Sequence, residues 1–514
     1  INNNNMLKSN NIYLFVLLSI LPAILFRDFT PSSELRYLSI ADEAIREGHI
    51  FAFTNHGMPF TDKPPLYLWL IMIAKLIFGN YYMVVLSLFS VVPALVTSKT
   101  IGNWAEEEYG RVKGRLAEWM FFGNALVVVV MLTIRMDMIM VMFIVLAMRS
   151  FFKTFQGRGN IKRNMWLFPI YIFLATFTKG ALGLIIPLAI TVTFLIIKKR
   201  YNDIIRFWGL RTWATLIVLF AIWFAAAWYE GGKGYVYDLF LQQTIYHDFL
   251  TMHKIKPMWF YLIHIFPTLF PLSFVIVGIA VSDISLRKTE GDLPTFFAIA
   301  TTASFIILSL ANSKVDIYLL PVIPFLVTWA AIRLPQPKPN RWISIALYIP
   351  AYLMALSAVT YPFIVKYTGE KFLHHGAFYT ASVVMTVFAI LSIKKISENK
   401  IYRAIQLQSI GIYITVFVAG LGVRFINPYI GHGRVCKEAR AIAESKTNET
   451  AIYEWEIHRP DGMDVYLGKP ALHVEDAAQA QNIKGILITK KENSVCFKGK
   501  KITEIGDKII VDMQ

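Results

Sequence analysis

Long apolar runs separated by short polar segments make up most of this chain. A run of roughly 20 apolar residues can cross a bilayer as a helix, and a helix satisfies its own backbone hydrogen bonds in lipid. The pattern therefore predicts an all-α polytopic membrane protein with about thirteen transmembrane helices. The approximate spans are 12–27, 83–102, 117–134, 138–153, 165–178, 181–197, 212–229, 258–281, 294–311, 317–333, 342–364, 376–393 and 405–424.

The apolar run Leu66–Phe78 is not counted as a span, because about thirteen residues are too few to cross a bilayer. We predict an interfacial helix there, inside a first external loop at about 27–82 that also holds an amphipathic helix over Leu35–Glu47. Charge tests this choice. With the N-terminus inside, every inner loop is basic, as the positive-inside rule requires, whereas an extra span would move those clusters outside.

The composition changes after Arg424, where polar and apolar residues become mixed. A helix-like segment at 434–445 and strand-like segments at 450–457 and 485–489 predict a small α/β domain over 428–514, and the odd number of spans places it outside the membrane. Both cysteines, Cys436 and Cys496, lie in this domain. They form either a disulfide, which an extracytoplasmic compartment permits, or two unpaired thiols.

Overall composition supports a membrane protein, with 56% hydrophobic residues and a mean hydropathy of +0.50. The net charge of +17 follows from the basic inner loops, which face anionic lipid. The sequence has no basic–aromatic nucleic-acid module, no P-loop and no Gly-x-Gly-x-x-Gly fingerprint. We therefore expect membrane lipids, and no nucleic acid, as partners.

Charged residues are dense in the first external loop of this otherwise apolar chain. Glu34 precedes the amphipathic helix, where it acts either as a helix-end charge paired with Arg36 or as a reactive carboxylate. Lys63 stands between Asp62 and two prolines that hold the backbone rigid. Such a lysine either contacts lipid headgroups or provides a fixed point charge for a phosphate.

Further charges fall in the predicted outer turns. Arg135 and Asp137 interrupt two apolar runs, Lys179 ends another, and Lys314 precedes Tyr318. These turns are polar either because they are exposed to solvent or because they form a functional site. Charges in such apolar surroundings favour a site in which cations recognise phosphate and acids activate a reactant. His247 and His253 give only a weak metal signal, so a divalent cation is possible but no metal ligand set is predicted.

Together these residues resemble the membrane-embedded glycosyltransferases that use polyprenyl-phosphate-linked sugars, in particular the lipid A aminoarabinose transferases and the protein O-mannosyltransferases. The resemblance covers about 12–424. It rests on five motifs in order: Glu34-Leu35-Arg36-Tyr37 with Ala41 and Glu43, Asp62-Lys63-Pro64-Pro65-Leu66-Tyr67-Leu68-Trp69, Arg135-Met136-Asp137-Met138, Thr178-Lys179-Gly180 with Gly183 and Pro187, and Ser313-Lys314 followed by Tyr318-Leu319-Leu320-Pro321.

The resemblance implies a GT-C-type fold and transfer of a sugar from polyprenyl (undecaprenyl) phosphate to lipid A, a glycan or a protein hydroxyl, with inversion. It places the protein in the bacterial inner membrane, with the active site and the C-terminal domain facing the periplasm. It implies that Glu34 and Asp137 are catalytic and that Lys63 and Arg135 bind the donor phosphate. The residues implied to line the substrate site are Arg36, Tyr37, Asp62, Lys179, Lys314 and Tyr318.

Three positions depart from the family pattern. Ser33 stands where the family usually has an aspartate, so Glu34, Asp137 or an already anionic acceptor would have to take over its role. Asp62 replaces a frequent glutamate, and Ile317 stands where the aminoarabinose transferases have a histidine, which argues against a shared metal site.

Three other functions use the same features. The chain could move a phospho-group between lipids, flip polyprenyl-phosphate lipids, or bind them without turnover. A flippase is expected to have charges at midplane depth and inverted repeats, neither of which the sequence shows. Glycosyl transfer is therefore the leading hypothesis.

Overall fold

The structure is a computed structural model that describes residues 9–241, 256–286, 291–334, 341–446 and 450–513. The predicted loop containing His247 and His253 lies outside the described residues. The helices up to residue 430 are α1 (Ser9–Phe26), α2 (Arg36–Glu47), α3 (Leu66–Phe78), α4 (Met83–Tyr109), α5 (Arg111–Phe122), α6 (Ala125–Met131), α7 (Asp137–Phe155), α8 (Ile161–Lys179), α9 (Leu182–Ile197), α10 (Tyr201–Trp208), α11 (Leu210–Leu241), α12 (Phe260–Thr268), α13 (Leu272–Leu286), α14 (Asp292–Leu310), α15 (Ile323–Arg333), α16 (Arg341–Ala355), α17 (Ser357–Thr368), α18 (Gly376–Ser397), α19 (Ile401–Gly422) and α20 (Asn427–Ile430). This part also contains a π-helical turn at Pro31–Leu35 and 3₁₀ helices at Asp316–Val322, Lys371–His374 and Val423–Phe425. Its two short strands are β1 (Thr54–Asn55) and β2 (Met58–Pro59).

The apolar helices form the body of a multi-pass membrane protein. Among the described residues, seven helices are long and apolar enough to cross a membrane, or up to eleven when each of four sharply bent helix pairs counts as one span. The helix α9 is apolar but has only 16 residues, and α8 is not among these candidates. Helices cover the predicted spans, but the number of crossings stays a prediction.

The loop between α1 and α4 contains both helices that the sequence predicts there. The helix α3 covers Leu66–Phe78 as predicted, and it packs on α2 through a shared cluster that includes Leu68 and Ile71. Its other face exposes Ile73, Leu76 and Ile77. An apolar face of this kind fits a helix that lies against lipid.

The C-terminal part folds as a small α/β domain. Its helices are α21 (Gly433–Lys446), α22 (Asp464–Leu467) and α23 (Ala477–Asn482), and its strands are β3 (Ile452–Trp455), β4 (Leu472–His473), β5 (Ile486–Lys490), β6 (Lys501–Ile505) and β7 (Lys508–Asp512). The sheet order is β4-β3-β5-β7-β6, in which β3 runs parallel to β4 and β5, and β7 runs antiparallel to β5 and β6. The helix and two strands predicted from sequence are present, whereas β4 and the β6–β7 hairpin were not predicted.

The possible disulfide of this domain is not formed. Alternate residues of β5 and β7 point to opposite sides of the sheet, giving one apolar core under α21 and another under α23. Cys436 is fully buried in the first core, whereas Cys496 is exposed beside the second. Because the sheet separates the two thiols, they remain free.

Polar contacts anchor this domain to the loop after α1. The carboxylate of Asp28 accepts hydrogen bonds from the Gly433 backbone N–H at 2.8 Å and from the Tyr466 hydroxyl. On α2, the Ser39 hydroxyl donates to Asp464 at 2.6 Å. A Cβ on Gly433 would lie 2.5 Å from an Asp28 oxygen. The two segments therefore approach so closely that only glycine, which has no side chain, fits at position 433.

The burial of the two thiols predicts their reactivity. We expect a maleimide to label Cys496 in the folded protein and to reach Cys436 only after denaturation, because the first core excludes the reagent. Mass spectrometry of purified protein checks this, with Cys496→Ser and Cys436→Ala as matched variants. A mass two hydrogens lower, restored by reductant, would instead show a disulfide.

Candidate active site

Five separate segments of the chain line a cavity of about 330 Å³ at one end of the helical bundle. We call it the cation cavity, because four cationic side chains and one carboxylate line it. Its lining residues are Ser32, Ser33, Arg36, Tyr37, Lys63, Ile134, Arg135, Met136, Asp137, Lys179 and Tyr318.

The carboxylate of Asp137 is the centre of the cation cavity. It is 2% exposed, and it accepts a 2.9 Å bond from Arg135 Nε and a second bond from the Lys179 ammonium. The Lys179 ammonium also lies 4.3 Å from the centre of the Tyr318 ring. A buried carboxylate needs such partners, because an unpaired charge in apolar surroundings is strongly unfavourable.

Asp137 and Lys179 are positioned by the ends of two helices. Asp137 is the first residue of α7 and Lys179 the last of α8, so each charge opposes the partial charge of its own helix terminus. Gly180 follows with a φ of 92°, which turns the chain sharply after Lys179 at no steric cost. The 3₁₀ helix at Asp316–Val322 adds Tyr318.

The first loop supplies the opposite wall. Arg36 and Tyr37 begin α2, and Lys63 stands in the segment that leads into α3. The Arg36 guanidinium lies over the Phe60 ring at 5.1 Å and contacts Asp62 at 3.4 Å. Asp62 is half-exposed and is not among the lining residues.

Glu34, which the resemblance suggested as catalytic, does not line the cation cavity. It is 1% exposed and accepts two bonds from Arg27, both 2.7 Å long. The backbone N–H groups of Thr30 and Ile134 donate to the same carboxylate, each at 2.7 Å. With four donors around it, Glu34 ties the first loop to the segment before α7. A catalytic role for Glu34 stays a prediction.

Lys314 also has a different place from the one predicted. Its buried ammonium donates to the backbone oxygens of Lys256, at 3.0 Å, and of Ala311. It joins the segments on either side of α12–α14 and is not among the residues lining the cavity.

Some functional positions were not foreseen from sequence. Ser32 and the backbone around Ile134 line the cavity, and Arg27 balances Glu34. Serine, isoleucine and a juxtamembrane arginine carry no distinctive local pattern, so only the folded chain reveals them.

The donor set of the site does not suit a metal ion. Among the described residues, no group of three or more His, Cys, Asp or Glu side chains is placed to hold one. Asp137 is already paired with two cations, and Asp62 with one. Dependence on a divalent cation therefore stays an untested prediction, and we derive no step through one.

Comparison with known proteins places this geometry in a class. No family model matches the sequence. An undecaprenyl phosphate-α-4-amino-4-deoxy-L-arabinose arabinosyl transferase of Proteus mirabilis is 23% identical over 431 residues, covering 81% of this chain and 74% of that protein. The transferase of the same description from Shewanella sediminis is 26% identical over 319 residues, 60% of this chain and 56% of that one. The crystal structure of ArnT from Cupriavidus metallidurans bound to undecaprenyl phosphate matches with a TM-score of 0.77 over 98% of both chains, at 16% identity.

The chain has the fold of ArnT, which is the GT-C fold of membrane glycosyltransferases. Within that class, its sequence is similar to the undecaprenyl-phosphate aminoarabinose transferases along most of its length. The family resemblance and the fold class predicted from the motifs are thus confirmed.

The four donors around Glu34 predict a stability effect. Glu34→Gln leaves Arg27, whose side chain is only 10% exposed, without its carboxylate partner, and breaking a buried ion pair typically costs about 3–5 kcal/mol in the free energy of unfolding. Thermal unfolding in detergent should show a clearly lower midpoint.

The matched control is Asp62→Asn, which removes a half-exposed pair that contributes at most about 1 kcal/mol. An equal midpoint for Glu34→Gln and wild type would contradict the structural role of Glu34.

Proposed function

We propose that this protein transfers a sugar from a polyprenyl-phosphate carrier to an extracytoplasmic acceptor, with the reaction in the cation cavity. The observation that carries the proposal is the excess of cations, Arg36, Lys63, Arg135 and Lys179, around the single carboxylate Asp137. An excess of positive charge in a partly enclosed cavity favours a phosphate-containing donor. The proteins similar to this chain are named for such a donor.

Lys63 and Arg135 are proposed to hold the donor phosphate. Because Arg135 contacts Asp137 through Nε, its terminal nitrogens can bind phosphate oxygens at the same time. As an acceptor oxygen bonds to the anomeric carbon, the bond between that carbon and the phosphate oxygen breaks, and negative charge grows on the leaving phosphate. Fixed cations stabilise that charge more in the transition state than in the ground state, which lowers the barrier.

Asp137 is proposed to position cations and not to remove a proton. A carboxylate that accepts bonds from both Arg135 and Lys179 is a weak base, because each cation stabilises its ionised form. Ser33, which lines the cavity where relatives usually have an acid, offers no base either. This arrangement favours an acceptor that is already anionic, such as a lipid A phosphate, over a glycan or protein hydroxyl.

The proposal includes an orientation. The basic loops predicted from sequence would face the cytoplasm, so the cation cavity and the C-terminal domain would face the periplasm of a bacterial inner membrane. A polyprenyl carrier in the outer leaflet would then reach the cavity from the side of the bundle.

Transfer from a radiolabelled undecaprenyl-phosphate sugar to a pool of lipid A, glycan and peptide acceptors tests the function. Lys63→Ala should lower kcat/KM by roughly 10²–10³-fold, the usual effect of removing one fixed group that stabilises transition-state charge. Asp137→Asn should also reduce turnover, because it frees Lys179 and Arg135 to move. The matched control is Lys75→Ala, a lysine of α3 that pairs with Asp42 away from the cavity.

Two results would count against the proposal. Full activity of Lys63→Ala would exclude a donor phosphate at this position. If wild-type protein binds undecaprenyl phosphate but releases no sugar from several donors, the chain is a non-catalytic binder or a flippase. Lipid movement in reconstituted vesicles would separate those two.

A further inference from the structure

The long helix α11 is kinked where it meets the first loop. Its backbone leaves helical geometry at Gly232, where φ is 74° and ψ is −176°, so that α11 consists of two helical parts. We call residues 230–235, which surround this kink, the α11 elbow. A left-handed φ favours glycine, and three of the six residues in the elbow are glycines. None of the six lines the cation cavity.

The Glu230 carboxylate of the elbow holds the first loop by its backbone. It accepts hydrogen bonds from three consecutive N–H groups, those of Ile50 and Phe51 at 2.5 Å and that of Ala52 at 3.2 Å. These donors lie between α2 and β1, outside any helix or strand, so the carboxylate supplies acceptors that regular structure does not. A Cβ on Gly231 would lie only 2.7 Å from the Ala52 Cβ, so the two segments are in direct contact.

Tyr235, at the other end of the elbow, joins the same segment to Phe60. Its side chain is buried, and its hydroxyl accepts from the Phe53 N–H and donates to the Phe60 carbonyl oxygen, both at 3.1 Å. The Phe60 N–H donates in turn to the Phe53 oxygen at 2.8 Å. One hydroxyl therefore bridges the two strands of chain that enter and leave the β1–β2 hairpin.

The Phe60 ring supports one wall of the cation cavity. The Arg36 guanidinium lies over this ring at 5.1 Å, and the Tyr37 ring meets it edge-on with the ring centres 6.3 Å apart. Phe60 is 3% exposed and belongs to the packed cluster of the first loop. Because Arg36 and Tyr37 both line the cation cavity, a shift of Phe60 would move two of its lining residues.

Aromatic contacts fix the same segment from its other side. The Trp69 Nε1–H of α3 donates to the Ile50 oxygen at 2.6 Å. The Trp69 ring packs against Phe177 of α8, and Phe177 packs against Trp223 of α11, with ring centres 5.3 and 5.2 Å apart. Phe177 lies two residues before Lys179, so these contacts connect α11 to both walls of the cation cavity.

We propose that Glu230 and Tyr235 are positioning residues for the donor phosphate. The α11 elbow fixes the backbone of residues 50–60, and the Phe60 ring then holds the Arg36 guanidinium where a phosphate in the cation cavity can bind it. An arginine loses much side-chain freedom on binding, so fixing it beforehand strengthens the binding of phosphate. The inference rests on the proposed glycosyl transfer and adds two residues that act on the cavity from outside it.

Calorimetric binding of undecaprenyl phosphate to the full-length protein in detergent tests the inference. Tyr235→Phe removes one oxygen atom, and it should weaken binding about threefold to tenfold, because the lost hydrogen bonds let Phe60 and Arg36 move. The matched control is Tyr237→Phe, which removes the hydroxyl of an exposed tyrosine on the same part of α11 and should leave binding unchanged.

Glu230→Gln gives a second, independent measurement. The amide keeps the size of the side chain, but it loses the charge and turns two donor hydrogens toward backbone groups that are themselves donors. We expect binding of undecaprenyl phosphate to weaken in the same range as for Tyr235→Phe. The matched control is Asp238→Asn, which neutralises an exposed carboxylate of α11.

A double-mutant cycle shows whether these effects pass through Arg36. In an Arg36→Ala background, Tyr235→Phe should weaken binding by less than about twofold, because the side chain that it positions is gone. Phe60→Leu, which keeps the arginine but removes the ring beneath it, gives the same cycle if Arg36→Ala binds too weakly to measure. Independent, fully multiplicative effects would overturn the inference, as would unchanged binding in both elbow variants.

Transfer kinetics separate positioning from a loss of stability. A variant that only unfolds part of the protein lowers kcat and keeps KM, because the remaining folded molecules are normal. We expect the reverse for Tyr235→Phe, a donor KM raised about threefold to tenfold with kcat within about twofold. A lower kcat at unchanged KM would overturn this inference and leave the transferase function intact. Coupled effects on lipid binding, in a protein that transfers no sugar, would overturn only the transfer reaction.

Discussion

The ion-pair cluster at Asp137 is the constraint on which the candidate site depends. A carboxylate buried in an apolar bundle is tolerated only with close cationic partners, and here the partners come from the segment before α7 and from the end of α8. The pairing therefore holds two helix ends together and points both cations at one cavity. Under the proposed function, a phosphate entering this cavity would meet charges that are already oriented, so little reorganisation would be needed during the reaction.

Glu34 is a second buried carboxylate that is stabilised by close donors, and its contacts join two segments of the chain. Its four donors come from Arg27 and from two backbone segments, and one of them, Ile134, directly precedes the Arg135-Met136-Asp137 turn. The first loop is thus fastened to the segment that carries the central carboxylate. This places Arg36, Tyr37 and Lys63 opposite Lys179 although they are far apart in sequence.

The C-terminal domain extends this arrangement beyond the bundle. Asp28 and Ser39, which flank the Pro31–Leu35 turn, hold the domain through Gly433, Tyr466 and Asp464. Burial raises the pKa of Asp464, so its short contact with Ser39 belongs to the packed interface and not to a solvated surface. The contacts thus hold the C-terminal domain against the loop that supplies part of the cation cavity.

The sequence by itself determined the helical membrane architecture, the interfacial helix Leu66–Phe78, the separate α/β domain and most residues of the cation cavity. Hydrophobic period and length decide whether a segment is a lipid-compatible helix, and isolated charges in apolar runs stand out because they are costly. Only the tertiary structure decided which charged residues line the cation cavity and which pair elsewhere. Glu34 and Lys314 look as reactive as Asp137 and Lys179 in the sequence, but in the structure their partners lie outside the lining of the cation cavity. Whether Cys436 and Cys496 form a disulfide was also decided by the tertiary structure, because a sheet lies between them. Such roles are set by contacts between distant segments, and no local pattern encodes which segments will meet.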